Sequence, residues 1–264
     1  MKNKYEILKE QVDVLRELYN KNAASPYIHE NSYVTPVLKS ILDEYVDKYE
    51  TELVNKLEST TYLFAVARGS RVYGTYEKGV SDTDYLVVVP DSFYNLLSQY
   101  PRHIFEYKDK FANVDYQFVC EKDFIAQIEK HDIAALECIF SPTLKGDSKG
   151  MYQEYFKLDK WKLRESVSAV CSNSWVKAKK KLTVEKDYDL RIGQKSLWHS
   201  MRIYMFAIQI AQTGKIYDYS CANDLWWEIK SAETPTWDYY KEKYQEKFNN
   251  LRSELVKLCP KPVE

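Results

Sequence analysis

Residues 63–89 read Leu-Phe-Ala-Val-Ala-Arg-Gly-Ser-Arg-Val-Tyr-Gly-Thr-Tyr-Glu-Lys-Gly-Val-Ser-Asp-Thr-Asp-Tyr-Leu-Val-Val-Val, and their order decides the fold. Three of the seven glycines in the chain, Gly69, Gly74 and Gly79, fall inside this stretch. One apolar run, Leu63 to Ala67, stops at Gly69-Ser70; a second, Tyr85 to Val89, starts directly after Asp82 and Asp84. Short β-branched and aromatic runs bounded by glycine are the pattern of buried strands. Side chains alternate along a strand, so Asp82 and Asp84 project from one face. Two neighbouring carboxylates repel unless a proton or cation sits between them. Glycine lets backbone come close to a phosphate, and free N–H groups there favour an anion. A phosphate-binding turn joined by a short connection to a carboxylate pair predicts metal-assisted chemistry on a nucleoside triphosphate.

Upstream, apolar positions at Ile7, Val12, Val14, Leu15, Leu18 and Tyr19 predict an amphipathic helix over 4–20. A second helix runs from Pro36, suited to a first turn, to about residue 57. Downstream, Phe93 to Tyr100 reads as a short helix closed by Pro101. Two extended pieces follow, Ile104–Lys108 and Asn113–Val119, then a helix over 121–140. The polar stretch Lys145-Gly146-Asp147-Ser148-Lys149-Gly150 breaks the pattern and marks a boundary. Beyond it only helices are expected, over 152–182, 188–213, 221–230 and 236–258, with Gly214 ending the second. The expected organisation is N-terminal helices at 1–58 packing on the next domain, an α+β catalytic domain at 59–146 and an all-helical domain at 151–264.

At 264 residues the chain exceeds the usual single core. A net charge of −1 supplies no global attraction to nucleic acid, so any such contact must be local. The five cysteines are widely spaced and form no Cys-x-x-Cys pair, which points to reduced thiols rather than a disulfide framework or zinc cluster. The N-terminus has no apolar signal core and no run approaches transmembrane length. The expectation is a cytoplasmic protein with no membrane partner.

The metal chemistry requires acids around two ions about 3.5–4 Å apart, and magnesium takes oxygen ligands while keeping some water. Asp82 and Asp84 are the first two ligands. Asp115 is the third, because it interrupts an apolar strand where a charge is otherwise costly. Ser70 is placed to donate its hydroxyl to a phosphate, Gly69 to allow the approach, and Arg71 to add charge, while Ser81 supports the ligands by a hydrogen bond. On the helix over 188–213, Arg191, Lys195, His199 and Arg202 share one face that continues to Phe206 and Ile210. A cationic stripe running into a core fits the wall of an anion-binding cleft, with Lys195 the triphosphate contact. The lysines at 177 and 179–181 read as a solvated helix end.

The ordered set Gly69-Ser70, then Asp82-Thr83-Asp84 entering a strand, then a later acid resembles the nucleotidyltransferase superfamily that includes DNA polymerase β. Haloacid-dehalogenase-like phosphatases also carry Asp-x-Asp, but theirs follows its apolar strand, whereas here the run comes after the acids. Within the superfamily the chain looks like the YcgL-type predicted nucleotidyltransferases of bacteria and phages, related to RNA-repair-associated polymerase β-like proteins. The resemblance rests on Arg68-Gly69-Ser70, Tyr73-Gly74, Ser81-Asp82-Thr83-Asp84, Asp115, Leu136-Glu137-Cys138-Ile139-Phe140, Lys195, His199, Arg202 and Thr213-Gly214. It implies a polymerase β-like fold and transfer of a nucleoside monophosphate from a triphosphate to a hydroxyl, with two Mg²⁺ ions (or Mn²⁺) and release of pyrophosphate. An RNA or tRNA 3′ end is the leading acceptor. The alternatives are a protein hydroxyl, as in toxin–antitoxin nucleotidylation, and a non-catalytic protein that keeps the fold to bind a nucleotide or partner.

Overall fold

A computed structural model describes residues 62–98, 100–109, 113–144 and 150–262. The helices expected over 4–20 and 36–57, and the whole 1–58 segment, lie outside the described residues. Within 62–264 the chain is α+β and mostly helical. Strands β1 (Phe64–Arg68), β2 (Thr83–Val89), β3 (Ile104–Asp109) and β4 (Val114–Cys120) form one mixed sheet in the order β1-β2-β4-β3. Strand β2 is antiparallel to β1 and parallel to β4, and β3 is antiparallel to β4. The parallel pairing sets the two strands that carry acids side by side, running the same way.

Alternation along the strands decides which face is buried. Phe64, Val66, Leu86, Val88 and Val119 all join the core, and the last two are paired across β2 and β4. Asp84 lies four residues before Val88, and Asp115 four before Val119, so both acids share that face at matching strand ends. The short helix α1 (Ser70–Tyr73) follows β1, and α2 (Tyr94–Leu97) follows a 3₁₀ turn at Asp91–Phe93.

The single helix expected over 121–140 is two, α3 (Glu121–Glu129) and α4 (Ile133–Ile139). The break falls at His131, whose φ of 59° is left-handed, and Asp132 then caps α4 by accepting from the Ala134 and Ala135 N–H groups at 2.9 and 3.4 Å. The later helices are α5 (Lys160–Thr183), α6 (Leu190–Thr213), α7 (Asn223–Lys230) and α8 (Trp237–Leu258). Asp159, Asp189 and Thr236 cap α5, α6 and α8 through their side chains, and Gly214 ends α6 with a φ of 81°. The start of α5 is later than expected because residues 153–155 form a 3₁₀ turn and Asp159 supplies the cap.

Helix α6 is the central element and is buried along most of its length. One core runs from Phe64 in β1 to Cys259 beyond α8, so sheet and helices share it across the stretch where the sequence places a boundary. Specific bonds reinforce the junction: Asn223 Nδ2 donates to the Tyr73 carbonyl at 2.8 Å, and Arg191 Nη2 to the Val80 carbonyl at 2.9 Å. Among the described residues no helix is long and apolar enough to cross a membrane.

Candidate metal and phosphate site

The register of β2 and β4 pairs Asp84 directly with Asp115, and Asp82 stands two residues before Asp84. Carboxylate oxygens of all three acids lie within 4.8 Å of one another, so the expected trio is brought together. The loops that feed the two strands are tied to each other. Asn113 Nδ2 donates to the Ser81 carbonyl at 3.0 Å, and the Thr83 N–H donates to the Asn113 carbonyl at 3.1 Å. Ser81 itself is buried, and its Oγ accepts from the Glu77 N–H at 3.1 Å. Its support for the acids is therefore a brace on the loop backbone.

The full cross-strand row reads Arg68, Asp84, Asp115, Lys108. Two acids on the inner strands are flanked by a cation on each outer strand. Lys108 Nζ donates to Asp115 Oδ2 at 3.1 Å, and it lies 3.1 Å from Asp115 Oδ1 and 3.6 Å from Asp82 Oδ2. Its bond to Asp115 holds the ammonium above the ordinary lysine pKa. Sequence reading passed over Lys108; the available signal was a β3–β4 hairpin, whose antiparallel pairing sets it opposite Asp115. On the other side, Arg68 Nη1 donates to Gln117 Oε1, and Gln117 Nε2 donates to Glu106 Oε1 at 2.8 Å. These groups, with Gly69 and Tyr73, line a cavity of about 350 Å³ beside the acids.

Asp84 is the acid under most strain. Burial and then the charge of Asp82 push its carboxyl above the usual range, Asp115 adds to this, and Lys195 and Arg68 oppose it. Gly69 explains how the carboxylate fits. A Cβ at Gly69 would lie 2.1 Å from Asp84 Oδ2, and the backbone there has a φ of 69°. Both the space and the conformation demand glycine. Gly69→Ala is expected to displace Asp84 or the turn and to lower divalent-cation affinity at least tenfold; calorimetric titration with MgCl₂ that matches wild type would show that the close approach is not needed.

Ser70 opens α1, and its Oγ is sealed from solvent without a hydrogen-bond partner among the described residues. A buried hydroxyl in that state is costly unless a ligand completes it. Arg71 is exposed, donates from Nε to Thr83 Oγ1 at 2.5 Å, and covers the Tyr76 ring at 4.0 Å. It thus clamps the turn against β2.

The cationic face of α6 follows the expected gradient: Arg191 and Lys195 are exposed, His199 is half-buried and Arg202 is 1% exposed. Lys195 acts on the charge of both Asp84 and His199 but does not line the cavity beside the acids. Burial, then Arg202, Lys195 and Lys177, lower the His199 pKa to about 3. The ring is neutral at physiological pH, and its Nδ1 accepts from Arg202 Nη2 at 2.9 Å.

Arg202, expected beside a nucleotide, is instead in the core. Its Nη1 lies 3.2 Å from Glu137 Oε1, and its guanidinium sits 3.8 Å above the Tyr73 ring. Tyr73 Oη donates to the other Glu137 oxygen, and Tyr219 Oη donates to the Glu137 carbonyl at 2.7 Å. With Nη1 turned to Glu137, Nη2 to His199 and the guanidinium over Tyr73, Arg202 positions α1 from behind, although its Nε is buried without a partner among the described residues. The resemblance includes Glu137 in the Leu136–Phe140 stretch, but the sequence gives no sign of its pairing with Tyr73 and Arg202.

A scan against protein-family models found no match to this chain, and a search of curated proteins found none either.

Proposed function

We propose that this chain is a Mg²⁺-dependent nucleotidyltransferase with a polymerase β-like catalytic core. It moves a nucleoside monophosphate from a triphosphate to a hydroxyl, with an RNA or tRNA 3′ end as the leading acceptor. The observation that carries this reading is the meeting of Asp82, Asp84 and Asp115 within 4.8 Å directly against the Gly69-Ser70 turn.

The donor set fits magnesium. It consists of carboxylate oxygens, each side chain is only partly buried, and coordination positions remain for water and substrate. Burial and then the neighbouring Asp82 raise the Asp84 carboxyl, against the partial compensation of Lys195 and Arg68, and a cation at the site would relieve both. When bound there, Mg²⁺ supplies activation of the attacking hydroxyl and neutralises charge on the triphosphate and departing pyrophosphate. Asp82, Asp84 and Asp115 would hold the ion, the bare Cα of Gly69 leaves room for the Asp84 carboxylate among them, and Ser70 Oγ, without a partner among the described residues, would donate to a phosphate oxygen. Lys195 adds positive charge from α6. The acceptor oxygen bonds to the α-phosphorus as the α–β anhydride breaks, and the hydroxyl proton leaves to solvent.

Incubation with each labelled triphosphate, Mg²⁺ and either total RNA or cell lysate tests the reading. The expected result is pyrophosphate release with label on RNA. Label on protein would support the protein-hydroxyl alternative. Nucleotide binding without pyrophosphate release, whatever the acceptor, would overturn the enzyme in favour of a binding protein.

Lys195→Ala is expected to weaken triphosphate binding at least tenfold while changing monophosphate binding little, about a 1.4 kcal/mol difference. Equal losses for the two ligands would remove Lys195 from the phosphate site.

A further inference from the structure

Lys108 is the cation already inside the acid cluster. Its ammonium lies 3.1 Å from both oxygens of Asp115 and 3.6 Å from Asp82 Oδ2, whereas Asp84 has no ion-pair partner among the described residues. The three acids are thus divided unequally. The Asp82–Asp115 gap is spanned by a positive charge, and the Asp82–Asp84 pair is open. Position on the outer strand β3, opposite Asp115, fixes where the lysine stem starts. At 52% side-chain exposure, the ammonium end has room to swing into water.

We propose that Lys108 is a built-in competitor for divalent cations: its ammonium fills the Asp82–Asp115 gap in the metal-free protein and has to leave before a cation can bridge those two carboxylates. The inference rests on the metal-site reading above and adds an order of filling to it. A first ion at Asp82 and Asp84 meets only the longer, 3.6 Å contact of Lys108 with Asp82 and the more distant charges of Arg68 and Lys195, none of which pairs directly with Asp84. Once there, it draws on Asp82 and repels the ammonium, which weakens the hold of Lys108 on Asp115. Access to Asp115 then follows from occupancy of the inner pair. Until that point, Lys108 relieves the mutual repulsion of the acids.

The test compares full-length wild type with Lys108→Met, which keeps the stem and removes the charge, and Lys108→Arg, which keeps the charge. Calorimetric titration with MgCl₂ and MnCl₂, without nucleotide, is paired with melting curves in the presence and absence of Mg²⁺. Lys108→Met is expected to bind the cations about three- to tenfold more tightly, the size of one or two half-exposed ion pairs. It should melt lower than wild type without metal and gain more from Mg²⁺. Lys108→Arg should keep the weaker affinity. If Lys108→Met expresses poorly, Lys108→Gln answers the same question with a neutral polar end. Equal affinity in wild type and the neutral variants would overturn the competitor and leave the metal site standing, as would arginine binding as tightly as methionine. Absence of cation binding in every form would overturn both the competitor and the metal-site reading.

Discussion

Asp84→Asn is expected to lower nucleotidyl transfer by three orders of magnitude or more and, in the same protein, to raise the melting temperature without metal. The two effects have one cause. Asp84 is pressed between Asp82, Asp115 and the bare Cα of Gly69, and its carboxyl is held above the ordinary range by burial and by Asp82. An acid whose folded pKa lies above its unfolded value stabilises the fold below the unfolded pKa, near 3.9, and loses that contribution as pH rises through the folded pKa. Above the folded pKa, the charged Asp84 carboxylate is therefore a burden on the metal-free fold. Asparagine removes the charge at nearly constant volume and flattens this part of the pH dependence. On the proposed function it also removes one of the three anionic ligands for the divalent ion, leaving Asp82 and Asp115. Transfer assays and melting curves across pH 3–8 check both halves. A variant that transfers within tenfold of wild type would remove Asp84 from the metal site; one that melts lower at neutral pH would show that its carboxylate is a net stabiliser.

The sequence made this trio legible for physical reasons. Asp82 and Asp84 stand at the mouth of an apolar run, and Asp115 breaks one, so each advertises a charge that folding must explain. What it left dark were the neighbours. Lys108 is an exposed lysine on an outer strand, a type of residue that carries no signal until the β3–β4 register is known. Glu137 sits within the apolar run Ile133–Ile139, and its partners Tyr73 and Arg202 are 64 and 65 residues away. A single-sequence pattern cannot pair groups at that range. The same limit misplaces Arg202. Charge spacing along α6 correctly finds a face that runs from water into the core, but only the packed structure shows where along it solvent ends. The break between α3 and α4 was hidden differently: apolar spacing continues through it, and the decisive feature is the left-handed backbone of His131.

Arg202→Met is expected to destabilise the protein by about 3–5 kcal/mol, because it leaves the Glu137 carboxylate buried without its cation. Glu137 is 8% exposed and Arg202 is 1% exposed, so water cannot take over for either partner. His199 is a poor substitute, since burial, the largest cause of its lowered pKa, persists when Arg202 is removed. A second consequence follows from geometry. Tyr73 donates to Glu137 and lies under the guanidinium, and it ends the helix that Ser70 begins. Loss of the pair frees the far end of α1, so triphosphate affinity should fall together with stability. Combining Arg202→Met with Glu137→Gln should recover part of the loss, because the carboxylate charge is no longer buried alone. Urea unfolding of the two single variants and the double variant, beside triphosphate titration, separates this role from direct contact. An arginine that touched phosphate would instead weaken the ligand with stability intact, and a double variant no better than Arg202→Met alone would show that the ion pair is not what holds α1 in place.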